Sequence, residues 1–182
     1  MRVRAATADD AAAIASIYAP YVLASAVSFE TEAPDAAEIG RRLAAAAGAY
    51  PWLVVCDGDG DGTLLGYAYA AAFRTRPAYR FTVETTVYLA GEAGGGGIGT
   101  LLYRALLPAL EAQGFAQAIA AITLPNPASV KLHEKLGFRQ VGTYEAVGFK
   151  RGQWHSVGLW QRALAPLSTK PEEPKPVAPR GL

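Results

Sequence analysis

Cysteine is almost absent from this chain: Cys56 is the only one in 182 residues. That excludes an intrachain disulfide framework and any metal site needing two thiolates from one chain, and it points to a reducing, cytoplasmic setting. An excess of charge of either sign is missing too. Lys and Arg number 17, Asp and Glu 16, and the formal net charge is +1. No broad basic field therefore advertises nucleic acid or an anionic membrane, and no acidic one advertises a polycationic partner. Nowhere do about 18 consecutive apolar residues occur, as a membrane-spanning helix would need. The first ten residues carry charges where a secretory signal needs its apolar stretch. What the chain does have is apolar material, 51% against 18% charged, ample for one buried core at this length.

Periodicity and punctuation give the order β, α, α, three β, α, β, α, two β. The run Arg2 to Ala6 reads as a strand, and Thr7-x-x-Asp10 as a capping box opening a helix through Ile14, Ile17, Tyr18 and Tyr21. Pro34 suits the first turn of a second helix that ends near Gly48, before Pro51. Strand-like runs at 52–56 and 64–70 flank Asp57-Gly-Asp-Gly-Asp-Gly62, and 82–89 is strongly β-prone. That acidic loop matches the first half of a calcium-binding EF-hand loop, but position twelve is Ala68 and both flanks are strands, so it reads as a solvated hairpin tip. From Ile98 the apolar residues Leu101, Leu102, Ala105, Leu106, Ala109 and Leu110 follow helical spacing, with a kink or early end expected at Pro108 and a stop at Gly114. A strand at 118–124, a helix at 128–136 and two strands turning near Arg151-Gly152 complete the domain, residues 1–165. Residues 166–182 hold five prolines, two adjacent glutamates and little to bury, which predicts a disordered tail.

Gly94, Gly95, Gly96, Gly97 and Gly99 lie between a strand and a helix, where unpaired N–H groups and the helix dipole would converge on an anion. Four readings of this loop stand side by side. As a dinucleotide fingerprint, Gly94-x-Gly96-x-x-Gly99 follows the fourth strand rather than the first, and Ile119 occupies the place of the acidic residue. As a P-loop it fails, because Thr100 follows Gly99 directly with no lysine between. A plain flexible turn is the third reading. The fourth is a pyrophosphate loop for coenzyme A.

Two motifs support the fourth reading. Gly94-Gly-Gly-Gly97-Ile98-Gly99 resembles the Gln/Arg-x-x-Gly-x-Gly/Ala signature of the GNAT acetyltransferases, and Asn126-Pro-Ala-Ser129-Val-Lys131-Leu-His133-Glu-Lys-Leu-Gly137-Phe138 resembles that family's Asn-x-x-Ala/Ser-x-x-Leu-Tyr-x-x-x-Gly-Phe segment. Further stretches, among them Tyr50-Pro-Trp-Leu-Val54, Glu84-Thr-Thr-Val-Tyr88 and Trp154-His-Ser-Val-Gly-Leu-Trp-Gln161, resemble the phosphinothricin N-acetyltransferase branch. The likeness runs from Arg4 to about Leu164. It implies an α/β (α+β) GNAT fold: a single mixed, largely antiparallel central sheet of six or seven strands flanked by helices. One departure stands out. Gly94, Gly95 and Gly96 occupy positions that are often basic in the family, so acetyl-CoA binding is expected to be weaker, or helped by Arg104 or Lys131.

By resemblance, acetyl-CoA is the acyl donor, no metal is involved, and the acceptor is a small-molecule amine such as a phosphinothricin-like or methionine-sulfoximine-like amino acid. The resemblance assigns the general base to Glu84 and a catalytic role to His133. It assigns donor binding to Val87, Tyr88, Leu89, Gly94 to Gly99 including Ile98, Thr100, Asn126, Ser129 and Lys131, and acceptor binding to Phe29, Arg74, Arg76, Tyr79 and Thr86. It also implies a homodimer. The chemistry agrees: most amines are protonated at neutral pH and need a base, main-chain N–H groups near Tyr88 and Leu89 could hold the thioester oxygen, and guanidinium forks suit carboxylate and phosphinate groups. Read from the residues alone, Glu84 could equally face water from a strand, Asn126 could form a turn, His133 could simply pack and the arginines could be solvated. A different amine acceptor and a non-catalytic acyl-CoA sensor stay open at this point.

Overall fold

The computed structural model describes residues 1–58, 62–93 and 96–177. Seven strands form one sheet: β1 (Arg2–Ala5), β2 (Trp52–Cys56), β3 (Leu64–Ala72), β4 (Thr82–Leu89), β5 (Gln117–Leu124), β6 (Arg139–Lys150) and β7 (Gln153–Ala163). Their order is β1-β2-β3-β4-β5-β7-β6. Every neighbouring pair is antiparallel except β4 and β5. This is the mixed, largely antiparallel sheet that the family resemblance implies.

Helices cover both faces because alternate strand residues are apolar on both. α1 (Ala11–Leu23) and α2 (Ala36–Ala46) bury Ile14, Tyr18, Val22 and Ile39 against Val54, Cys56 and Tyr67. α3 (Ile98–Gln113) buries Leu102, Leu106 and Leu110 against Leu53, Val55, Ala68 and Val83 on the other face, beside α4 (Pro127–Lys135). Each fully buried leucine contributes about 1.5–3 kcal/mol of transfer free energy. The entry to α1 is fixed by Asp10, which accepts from the Thr7 N–H at 2.7 Å and forms a two-pronged pair with Arg4 at 2.7 and 2.8 Å. That guanidinium holds the Asp10 carboxyl below its ordinary value.

One expectation is corrected. The early end at Pro108 does not occur, since α3 continues to a left-handed cap at Gly114. Pro108 and Arg104, whose carbonyl loses its i+4 donor, are both on the exposed side of the helix, while the buried leucines on either side hold it. As far as Val177, the segment expected to be a disordered tail runs as a strap with hydrogen bonds to the body of the domain. Lys175 N–H donates to Gln113 O at 2.7 Å, Gln113 Nε2 to Lys175 O at 2.9 Å and Val177 N–H to Gly48 O at 2.9 Å, and Glu173 pairs with Arg80 at 2.8 Å. The part of that expectation falling on 178–182, like Asp59 and Asp61 of the acidic loop, lies outside the described residues.

The strap buries little apolar surface, so its removal has a bounded effect. Truncation after Ala165 is expected to cost about 1–2 kcal/mol, lowering Tm by roughly 3–6 °C. A thermal melt of the truncated chain against the full chain measures it, and an unchanged Tm would mean the strap adds nothing to stability.

Candidate active site

The sheet forks where β4 and β5 meet. Their parallel pairing covers only Thr82–Glu84 against Gln117–Ile119. β4 continues along β3 as far as the pair Gly66 and Leu89, and β5 along β7 as far as Leu124 and Ser156. Main-chain groups in an antiparallel ladder alternate sides. Ala90 N–H donates to Leu65 O at 2.9 Å, so Glu84, Thr86 and Tyr88 spend their main-chain groups on β3 while Val87 and Leu89 turn theirs into the fork. An extended ligand entering the fork therefore meets a strand edge already offering donors and acceptors. Of the two residues named as oxyanion donors, this parity singles out Leu89. The Tyr21 hydroxyl donates to its carbonyl at 2.7 Å and lies 3.4 Å from its nitrogen.

A narrow cleft of about 50 Å³ occupies the fork, and among its lining residues are Val27, Thr86, Val87, Tyr88, Asn126, Ser129 and His133. Glu84 sits on the last paired rung where the fork opens, half-buried on the sheet face covered by α1 and α2. Burial pushes its carboxyl above the ordinary value, and the Arg74 charge opposes this only in part. Tyr69, opposite Thr86 in register, is likewise pushed up by burial.

His133 is buried, 3% exposed, with both ring nitrogens engaged. Nε2 lies 2.9 Å from the Tyr103 hydroxyl and Nδ1 2.8 Å from Ser129 O. Since a carbonyl only accepts, Nδ1 is assigned the proton and Nε2 accepts from Tyr103. Desolvation holds the imidazole below its ordinary pKa, and burial pushes the Tyr103 phenol up. Asn126 caps α4 by accepting from the Ser129 N–H at 3.1 Å, which leaves its amide nitrogen unused by the cap, at the cleft.

The remaining predicted residues lie around this centre rather than in it. Gly97 starts α3 in the left-handed conformation at φ 80°. Ile98 and Gly99 are buried, Thr100 is half-buried and Gly96 is exposed. Gly94 and Gly95 lie outside the described residues. A Cβ on Gly99 would come within 2.9 Å of the Leu132 side chain, so the missing side chain lets α3 and α4 approach. Lys131 and Arg104 are exposed. Arg74, Arg76 and Tyr79 occupy the exposed connection between β3 and β4, where Tyr79 packs edge-on against Phe73. Phe29 lies across the sheet against Gly148.

Sequence reasoning passed over Val27, Tyr21, Tyr69 and Tyr103. Tyr103 sits within the apolar stripe of α3, and only its hydroxyl separates it from a core residue. Tyr21 reaches Leu89 across 68 positions, a separation with no local signal.

The profile of the Acetyltransferase (GNAT) domain family matches residues 3–157. The chain belongs to the GNAT acetyltransferases. Among GNAT relatives, a phosphinothricin N-acetyltransferase of Streptomyces viridochromogenes is 42% identical over 179 residues, covering 98% of this chain and 94% of the relative. An L-methionine sulfoximine/L-methionine sulfone acetyltransferase of Pseudomonas aeruginosa is 38% identical over 122 residues, 67% of this chain and 70% of the relative. The crystal structure of a GNAT phosphinothricin acetyltransferase from Sinorhizobium meliloti, in complex with acetyl-CoA, superposes with a TM-score of 0.88 at 41% identity, covering 94% of this chain and 93% of that one. The fold of this GNAT chain is thus that of a solved acetyltransferase. No helix among the described residues is long and apolar enough to cross a membrane.

Proposed function

We propose that this chain is a cytoplasmic, acetyl-CoA-dependent N-acetyltransferase that acetylates the amino group of a phosphinothricin-like or methionine-sulfoximine-like amino acid by direct attack in a ternary complex. The observation that carries this reading is Glu84: a half-buried carboxylate, raised above its ordinary value, at the base of a fork into which the main chain of Val87 and Leu89 turns. The similarity to acetyltransferases acting on such amino acids supplies the substrate class.

Acetyl-CoA supplies an acyl thioester. The fit to this chain rests on the fork, because the main chain of Val87 and Leu89 can pair with an extended amide-bearing arm as a neighbouring strand would. The amides around Gly96 to Gly99, at the start of α3, face the direction a diphosphate would take. Glu84 accepts the proton of the acceptor ammonium, directly or through one water, and so frees the amine lone pair for attack on the thioester carbon. The Leu89 N–H faces the place where the oxyanion develops. The C–S bond then breaks, the departing sulfur takes a proton from the Tyr103 hydroxyl, which His133 orients from the other side of the cleft, and the second proton that the nitrogen gives up as the amide forms restores that hydroxyl. Arg74, Arg76 and Tyr79 meet the carboxylate and the phosphinyl or sulfoximine group of the acceptor, while Thr86 and Phe29 flank it. Cys56 is buried in β2 and takes no part, so no acyl-enzyme forms.

The test is thiol release from acetyl-CoA over a panel of L-phosphinothricin, methionine sulfoximine, methionine sulfone, other amino acids and a peptide amine. Turnover confined to the first three is expected. Turnover only with the peptide amine would assign another acceptor, and thermal stabilisation by acetyl-CoA without release for any amine would make the chain a sensor.

The chain is proposed to act as a homodimer through the β6–β7 hairpin. β6 is an edge strand, and Val147 and Phe149, with Trp154 across the turn, are 54%, 62% and 66% exposed. Edge strands with such faces are usually covered. Light scattering is expected to give twice the 19.1 kDa chain mass, and Trp154→Glu to shift it toward one chain; a monomeric wild type would remove the dimer.

A further inference from the structure

The connection between α1 and α2 bears on the site because Val27 lines the cleft and, two residues on, Phe29 packs against the β6–β7 hairpin at Gly148 and His155. Residues 24–35 have no helix or strand of their own to hold them there. Side-chain bonds hold them, from Tyr18 to Ser28 at 2.6 Å and from Thr123 to the Val27 carbonyl at 3.4 Å, and above all from Lys150, the last residue of β6. It is 8% exposed, and its ammonium donates to three main-chain carbonyls: Val22 at 2.6 Å, Ser28 at 2.6 Å and Glu30 at 2.7 Å. An ammonium has three N–H groups, so all are used. Val22 belongs to the last turn of α1, whose carbonyls lack intrahelical donors and form the negative end of the helix dipole. The charge is thus met by three carbonyl dipoles. The Glu30 carboxylate is taken instead by Arg42, at 2.8 and 3.0 Å, and by the Tyr18 hydroxyl at 3.0 Å.

Other contacts along the hairpin serve the same end. Arg151 donates to Leu23 O at 3.0 Å, and His155 Nε2 donates to the Lys150 carbonyl at 3.1 Å. Gly148 leaves room for the Phe29 ring, which a Cβ there would overlap.

From this geometry we infer that Lys150 is a positioning residue for the acceptor: its ammonium gathers the chain between Val22 and Glu30 onto the hairpin and so sets Val27 and Phe29 as one wall of the acceptor site. The functional half of this inference rests on the acetyl-transfer reading of the cleft. A compact ammonium can converge on three carbonyls. The planar fork of arginine cannot, and a methionine would leave three carbonyls without a donor, driving the segment toward water.

Two readouts test it. In Lys150→Met the KM for L-phosphinothricin is expected to rise at least about tenfold, while the KM for acetyl-CoA stays within about twofold and kcat at saturation within about threefold. Amide hydrogen exchange is expected to speed up in 22–30 and to stay unchanged in β4. Lys150→Arg keeps the charge and is expected to show the same selective pattern at about threefold. It carries the test if the Met variant is not recovered folded. A folded variant with unchanged acceptor KM, or with both KM values raised alike, overturns the positioning role, and unchanged exchange in 22–30 overturns the anchor. If the wild type releases no coenzyme A with any amine, the acetyl-transfer reading fails and the acceptor role with it, while the exchange experiment still decides whether Lys150 holds the segment.

Discussion

Glu84→Gln is expected to lower kcat by at least about two orders of magnitude, the usual contribution of a positioned general base, with acetyl-CoA affinity within about twofold of wild type. Glutamine keeps the shape and leaves the β4 main chain paired as before, so the loss isolates the carboxylate's ability to take a proton. The pH dependence carries a second signature. Burial raises the Glu84 pKa, so kcat/KM should fall as pH drops through that raised value, where the base becomes protonated, and the limb should vanish in the variant. Stability should move the opposite way. A carboxyl whose folded pKa lies above its unfolded one weakens the fold where it is ionised, above the folded pKa, and that cost disappears below the unfolded value. Glu84→Gln should therefore raise Tm at pH 7 and bring no gain at strongly acid pH. A variant with full turnover would remove Glu84 as the base, and one equally slow but no more stable at pH 7 would show that the carboxylate is not strained by burial.

The order of elements was legible because the periods contrast sharply. The run Thr82 to Leu89 alternates as a strand, the residues after Ile98 step as a helix, and Arg151-Gly152 closes a two-residue turn with both residues at positive φ. The family was legible from two spaced motifs. The fork was not, because where a parallel pair stops depends on how β5 leans toward β7, and no residue in β4 records that. The strap escaped notice for a related reason: composition measures what a segment could bury, whereas this one is held by the carbonyls of Gly48 and Gln113, which only the folded body presents. Lys150 in sequence is one more lysine beside a hairpin turn. Its three acceptors lie at least 120 positions away.

His133→Phe is expected to lower kcat between about tenfold and a hundredfold and to cost roughly 1–3 kcal/mol of stability. Phenylalanine keeps a ring against Phe138, whose centroid lies 5.2 Å from that of His133, but removes the acceptor that the Tyr103 hydroxyl uses. That hydroxyl is then left with the Thr85 oxygen at 3.3 Å inside a buried site. Catalysis suffers because His133, held neutral by desolvation and with Nε2 already accepting, serves by orienting Tyr103 and not as a free imidazolium acid. Tyr103→Phe should therefore lose a similar factor, and the double variant little more than either single one. A pH-dependent stability term should go with the ring. The folded pKa of His133 lies below its unfolded value, so the unfolded chain binds a proton that the folded chain refuses, and wild-type stability should decline as pH falls below about 6.5. The Phe variant should lack that part of the slope. Additive losses in the double variant would separate the two side chains, and unchanged kcat in His133→Phe would leave the departing sulfur to be protonated from elsewhere.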